Sequence, residues 1–113
     1  MIKIYHNPRC TKSRQGLEYL EKAGVEFEVV RYLDTIPTKD ELKQIIEYLG
    51  ITPEELVRKN EKVWKENYKG KTLSDDDIVN AMIENPKLIE RPIIIKDKKA
   101  VIARPTENID ELL

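Results

Sequence analysis

Cys10 is the one sulfur nucleophile in 113 residues, and it stands in the segment His6-Asn7-Pro8-Arg9-Cys10-Thr11-Lys12-Ser13-Arg14, rich in donors and cations and free of carboxylates. The thiolate, not the thiol, is the attacking species. To act on an oxyanion it must be ionised near neutral pH, with donors to hold the anion and no acid competing for them. A cysteine at a helix start faces unpaired backbone N–H groups and the positive end of the peptide dipoles, so it ionises below the ordinary thiol value of about 8.5. Three arginines farther along have distinctive settings: Arg58 follows the apolar pair Leu56-Val57, and Arg91 and Arg104 each precede a proline. A guanidinium presents a rigid planar fork to an oxyanion and keeps its charge in almost any environment. These three are expected to converge on Cys10. The competing readings are plain ones: a lone cysteine is commonly a small buried hydrophobe, and a single arginine commonly a solvated surface charge. The helix-start setting favours chemistry for the cysteine, whereas His6 reads as structural or as a weak tuner of the thiol.

The elements that must position these groups follow from periodicity. Residues 2–5 read as a strand and 10–23 as a helix whose sheet-facing side, Ser13, Gly16, Leu17, Leu20 and Ala23, is small near the cysteine. Gly24 closes that helix, and residues 26–32 suit a second strand parallel to the first. Thr38 with Glu41 forms a capping box ahead of the stripe Leu42, Ile45, Ile46 and Leu49, ended by Gly50. A second box at Thr52 to Glu55 opens a short helix through Leu56, Val57 and Arg58, and a further short helix lies within 61–70. Another begins at Ser74 to Asp77 and runs to Asn85-Pro86, its first turn acidic as the dipole favours. Residues 93–95 and 100–103 form a hairpin about a turn at 96–99, and Ile109 to Leu113 a terminal helix opened by Thr106 and Asn108. The result is one α/β domain over residues 1–113: a four-stranded mixed sheet flanked by helices, ordered β-α-β, a helical insert at about 37–86, then β-β-α.

Composition narrows the function. Twenty basic against twenty-one acidic residues give a net charge of −1, so no global field draws the chain to nucleic acid and anion binding must be local. One cysteine and one histidine exclude an internal disulfide and leave too few soft ligands for a structural zinc. Neither a membrane span nor a signal-peptide apolar region is read from the sequence, and a reducing cytoplasm is the expected compartment.

The segment Ile4 to Arg14 resembles the active-site segment of the glutaredoxin-linked arsenate reductase family, related to the Spx-type proteins. The likeness continues through Tyr32-Leu33-Asp34, Pro37 to Leu42, Leu56 to Asn60, Leu88 to Ile93 and Ala103-Arg104-Pro105. It implies a thioredoxin-like fold with a helical insert and an arsenate reductase without bound cofactor. By the same resemblance Cys10 is expected to attack arsenate, and glutathione as co-substrate, with glutaredoxin as partner, to reduce the adduct to arsenite. It further implies Arg58, Arg91 and Arg104 as the oxyanion-binding groups, His6 as support for the low thiol pKa, Ser13 as an orienting group, Asn7 and Thr11 as supporting loop residues, and a cis bond at Arg91-Pro92. The same relationship offers an alternative, a regulatory protein that contacts RNA polymerase through the helical insert. Those regulators use Cys-x-x-Cys, and here Ser13 occupies the second position, so an internal disulfide switch of that design cannot close. A general glutathione-dependent disulfide reductase is the weakest reading, since disulfide exchange requires no arginine-lined anion site.

Overall fold

In a computed structural model, which describes residues 1–113, Ile2–Tyr5 form β1, Thr11–Ala23 α1 and Phe27–Val30 β2. Lys39–Leu49, Lys62–Asn67 and Asp75–Glu84 form α2, α3 and α4, and Ile93–Lys96 and Lys99–Ile102 form β3 and β4. The chain divides into two compact units, residues 1–35 with 91–113, and residues 36–90.

The first unit is a four-stranded mixed sheet in the order β2-β1-β3-β4. β1 runs parallel to β2 and antiparallel to β3, and β3 pairs antiparallel with β4. Period-two alternation buries Ile2 and Ile4 of β1 and exposes Lys3, as a strand with one packed face requires. Ile2, Ile4, Leu20, Ile94, Ala103, Ile109 and Leu112 make one core cluster, so α1 and the terminal segment pack against the sheet through shared apolar contacts. Gly16 sets how close α1 can come: a Cβ there would lie 2.9 Å from the Pro92 ring carbon Cγ and 3.7 Å from Ile4 Cδ1. The small face read around Ser13 and Gly16 is this contact surface. At the end of α1, Gly24 takes φ 71°, a left-handed cap that costs glycine no Cβ clash. The glycine-free hairpin turn is closed by Asp97 at φ 56°, a conformation aspartate tolerates better than most residues.

Two elements differ from expectation. Residues 106–112 are a 3-10 helix rather than an α-helix. Its buried residues, Ile109 and Leu112, are three apart, and a three-residue turn places such a pair on one face, here toward the sheet. The second box likewise opens a 3-10 helix, Pro53–Leu56, that ends before Val57 and Arg58. Val57 instead bridges Ile89, with Arg58 N–H donating to Leu88 O at 2.7 Å and Glu90 N–H to Leu56 O at 2.8 Å. Those long-range bonds satisfy the backbone in extended form, so the helix has no reason to continue.

The second unit buries Leu42, Ile45, Ile46, Leu56, Trp64, Ile78, Val79, Met82 and Leu88. Thr38 with Glu41 and Ser74 with Asp77 each make both bonds of a capping box. Asp76 of α4 accepts from Lys39 at 2.6 Å and Lys43 at 2.9 Å of α2, which holds its carboxyl down at about 2. No helix is long and apolar enough to cross a membrane.

Candidate active site

Cys10 is the N-cap of α1, with extended backbone (φ −97°, ψ 124°) and no acidic residue in the following turn. The preceding loop is held by short-range bonds that its sequence supplies. Cys10 N–H donates to Asn7 O at 3.0 Å, and Arg14 N–H to Cys10 O at 3.0 Å. The Asn7 side-chain oxygen accepts from Arg9 N–H at 3.0 Å, the local turn that asparagine favours. Arg14 binds the loop to the helix, donating to Pro8 O at 3.0 Å and Thr11 Oγ1 at 3.2 Å.

Ser13 and His6 lie beneath the loop, 0% and 6% exposed. Ser13 Oγ accepts the Asn7 N–H at 2.9 Å and lies 2.7 Å from His6 Nδ1. Burial lowers the His6 pKa from its ordinary 6.5; the bond with Ser13 opposes this, and the charges of Arg31 and Arg14 add to it. His6 is therefore neutral at pH 7, and its link to the sulfur runs through Ser13 rather than through a positive charge.

Arg91 Nε donates to Cys10 Sγ at 3.0 Å. Burial pushes the Cys10 thiol up, but the Ser13 backbone amide, the charge and hydrogen bond of Arg91 and the Lys12 backbone amide together outweigh it, and the pKa falls below the ordinary thiol value. The helix start and the guanidinium thus act on the same sulfur from two elements. Pro92 is buried against α1, and the peptide bond before it is cis; Arg104-Pro105 is cis as well. Arg104 is exposed, and its Nε donates to the backbone oxygen of Arg91 at 3.0 Å. Cys10, Arg91 and Arg104 thus form a connected series within the first unit. Arg58 belongs to the second unit, where its guanidinium pairs with Glu61 at 2.8 Å and donates to Lys87 O at 3.2 Å. No local signal in the sequence announces the Arg104 to Arg91 bond. No group of three or more His, Cys, Asp or Glu side chains is placed to hold a metal.

The mixed sheet and the thiol at the exit of β1 define a thioredoxin-like protein with a helical insert between β2 and β3. The chain belongs to the ArsC family, whose model matches residues 5–112. It is 45% identical to the uncharacterized protein YfgD of Escherichia coli, over 99% of this chain and 96% of that one. It is 43% identical to an arsenate reductase of Neisseria meningitidis, over 99% and 97%. Among solved structures it superimposes on an arsenate reductase from Vibrio cholerae with a TM-score of 0.95, at 43% identity and covering 99% and 97% of the two chains.

One expectation from the resemblance is overturned. It had arsenate reduction proceed through glutathione as co-substrate and glutaredoxin as partner. A thiol relay passes an electron pair from sulfur to sulfur. This chain has one cysteine, free and buried, so no such relay can run through it. Glutathione and glutaredoxin are accordingly withdrawn as co-substrate and partner, and the family relationship supports arsenate-reductase chemistry in general terms.

Proposed function

We propose that the protein is an oxidoreductase of the arsenate reductase kind in which Cys10 is the nucleophile. The observation that carries this reading is the Arg91 Nε to Cys10 Sγ contact of 3.0 Å at the N-terminus of α1. The Cys10 thiolate forms a sulfur–arsenic bond while an arsenate oxygen, having taken up protons, leaves as water. The electron pair that takes arsenic(V) to arsenic(III) comes from a reductant outside the chain, and arsenite is the product. Arg91 and Arg104 offset the charge of the oxyanion and of the adduct, as guanidinium groups suit tetrahedral anions. Ser13, supported by His6 and Asn7, fixes the first turn whose amides stabilise the thiolate; Thr11 and Pro92 hold the loop and the Arg91 backbone. Arg58, paired with Glu61, is outside this reading. A reducing compartment such as the cytoplasm suits an enzyme that depends on a lone thiolate.

The test is arsenite formation from arsenate with dithiothreitol as a generic reductant. Wild-type protein is expected to produce arsenite above the protein-free rate, and Cys10→Ser to fall to that background while still showing a cooperative melt. Equal arsenite production by wild type and Cys10→Ser would refute the assignment.

A further inference from the structure

The terminal 3-10 helix lies outside every motif that pointed to Cys10, yet a line of hydrogen bonds runs from it to the sulfur. Asn108 Nδ2 donates to Ile102 O at 3.1 Å and to Arg104 O at 3.2 Å. Arg104 Nε donates to Arg91 O at 3.0 Å, and Arg91 Nε to Cys10 Sγ at 3.0 Å. We propose that Asn108 is a positioning residue for the Cys10 site, clamping the turn that carries Arg104 and thereby fixing the Arg91 guanidinium against Sγ. This deepens the reading of Cys10 as the nucleophile and rests on it.

The chemistry of the contact specifies asparagine. Both partners are backbone carbonyl oxygens, so the group facing them must be a donor, and a side-chain amide has two hydrogens to give. The amide orientation is therefore decided by its partners rather than by an arbitrary choice between oxygen and nitrogen. The clamp has a firm base, because the next residue, Ile109, is 0% exposed and Leu112 is 5% exposed. The turn is also held from the sheet side, where Ala103 N–H donates to Pro92 O at 3.0 Å, and within itself, where Arg104 N–H donates to Ile102 O at 2.8 Å. Segment 102–104 is thus fixed between β3 and the terminal helix, and Asn108 makes the side-chain bonds on the helix side. Its removal leaves the turn without its two helix-side bonds, which loosens the Arg104 bond to the Arg91 carbonyl and lets the Arg91 side chain shift against the sulfur.

The test uses the rate of Cys10 alkylation by iodoacetamide as a function of pH, a readout of the sulfur that needs no arsenate. Asn108→Ala removes both donors; Asn108→Asp keeps the shape but turns an oxygen toward two carbonyl oxygens. Asn108 is only half-buried and stands outside the apolar cluster, so both variants retain the core, and thermal melts verify it. Alkylation near pH 6 is expected to slow by up to about tenfold in Asn108→Ala, the scale of two neutral hydrogen bonds partly transmitted, and more in Asn108→Asp. A rate at high pH equal to that of the wild type is expected to accompany it. In an Arg104→Ala background, Asn108→Ala is expected to change nothing further, because the two act in series. Wild-type pH profiles in both variants, or an undiminished Asn108→Ala effect in the Arg104→Ala background, would overturn the proposal. Should one substitution prevent folding, the other decides by the same criteria, and Asn108→Ser decides if both do. Arsenite production absent from the wild type would defeat the proposed function while leaving the alkylation result legible.

Discussion

Replacing Arg91 with methionine keeps an apolar stem of similar length and removes the charge and donor that face Cys10. At the observed 3.0 Å, a pair of unit charges attracts by about 1.4 kcal/mol in bulk water and about 5.5 kcal/mol at an effective dielectric constant of about 20. Cys10 is 9% exposed while Arg91 is half-buried, so solvent screens the pair in part. Hydrogen bonds to charged groups contribute about 1.5–3 kcal/mol, and a value of about 2 kcal/mol lies between the two limits. That corresponds to about a 30-fold smaller thiolate fraction at any pH below both thiol pKa values. Burial continues to disfavour the ion after the substitution, and only the Ser13 and Lys12 amides remain to oppose it. The assay is the second-order rate of iodoacetamide alkylation from about pH 5 to 10, spanning the ordinary thiol value. The Arg91→Met profile is expected to move to higher pH, slowing alkylation by about 30-fold on the acid side of both thiol pKa values and converging on the wild-type rate at the alkaline end. Superimposable profiles would refute the claim that this guanidinium holds the sulfur ionised.

Two further predictions concern packing and pH. Gly16→Ala places a Cβ 2.9 Å from Pro92 Cγ; overpacking of this kind costs about 1–3 kcal/mol, set against about 1 kcal/mol gained in helix propensity. A net loss by chemical denaturation, together with slower Cys10 alkylation as Pro92 carries Arg91 outward, is expected, and a stabilised variant with unchanged alkylation would contradict the close-approach argument. Because the folded His6 pKa is lowered below 6.5, chiefly by burial, the unfolded chain binds the proton first as pH falls. The stability contributed by neutral His6 is complete above pH 6.5 and is lost as pH falls through the folded pKa. Melts of the wild type from about pH 5 to 8 are expected to rise through this window, and His6→Gln to lose that step. Cys10, also lowered, contributes in the same direction at higher pH, its share complete only above the ordinary thiol value; Cys10→Ser is expected to flatten the alkaline rise.

How much was legible in the sequence depended on the range of the bonds involved. The strand, loop and helix around Cys10 were readable because their determinants lie within a few residues: β1 alternates, Asn7 and Pro8 turn the chain, and a helical stripe follows at once. The boxes at Thr38 and Ser74 were readable for the same reason, each closing on a residue three positions ahead. Val57 defeated the local reading, since a proline-led start favours a helix and only the distant Ile89 offers its backbone a ladder instead. The terminal segment kept its apolar residues but not its helix type, because the sheet selects the three-residue spacing of Ile109 and Leu112.

The order of residues alone puts one thiol at a helix start without acids beside it, and arginines before two prolines. What it could not determine is which cation meets the sulfur. That was decided by the antiparallel pairing of β1 with β3, which sets Tyr5 opposite Ile93. Arg91, just before β3, is thereby delivered to the loop that leaves β1, 81 positions from Cys10 in the chain. Arg104 and Asn108 follow from β4 and the terminal helix by the same logic. Local hydrogen-bonding preferences act over one turn of chain, and only strand register carries a side chain across that separation to within 3.0 Å of the Cys10 sulfur.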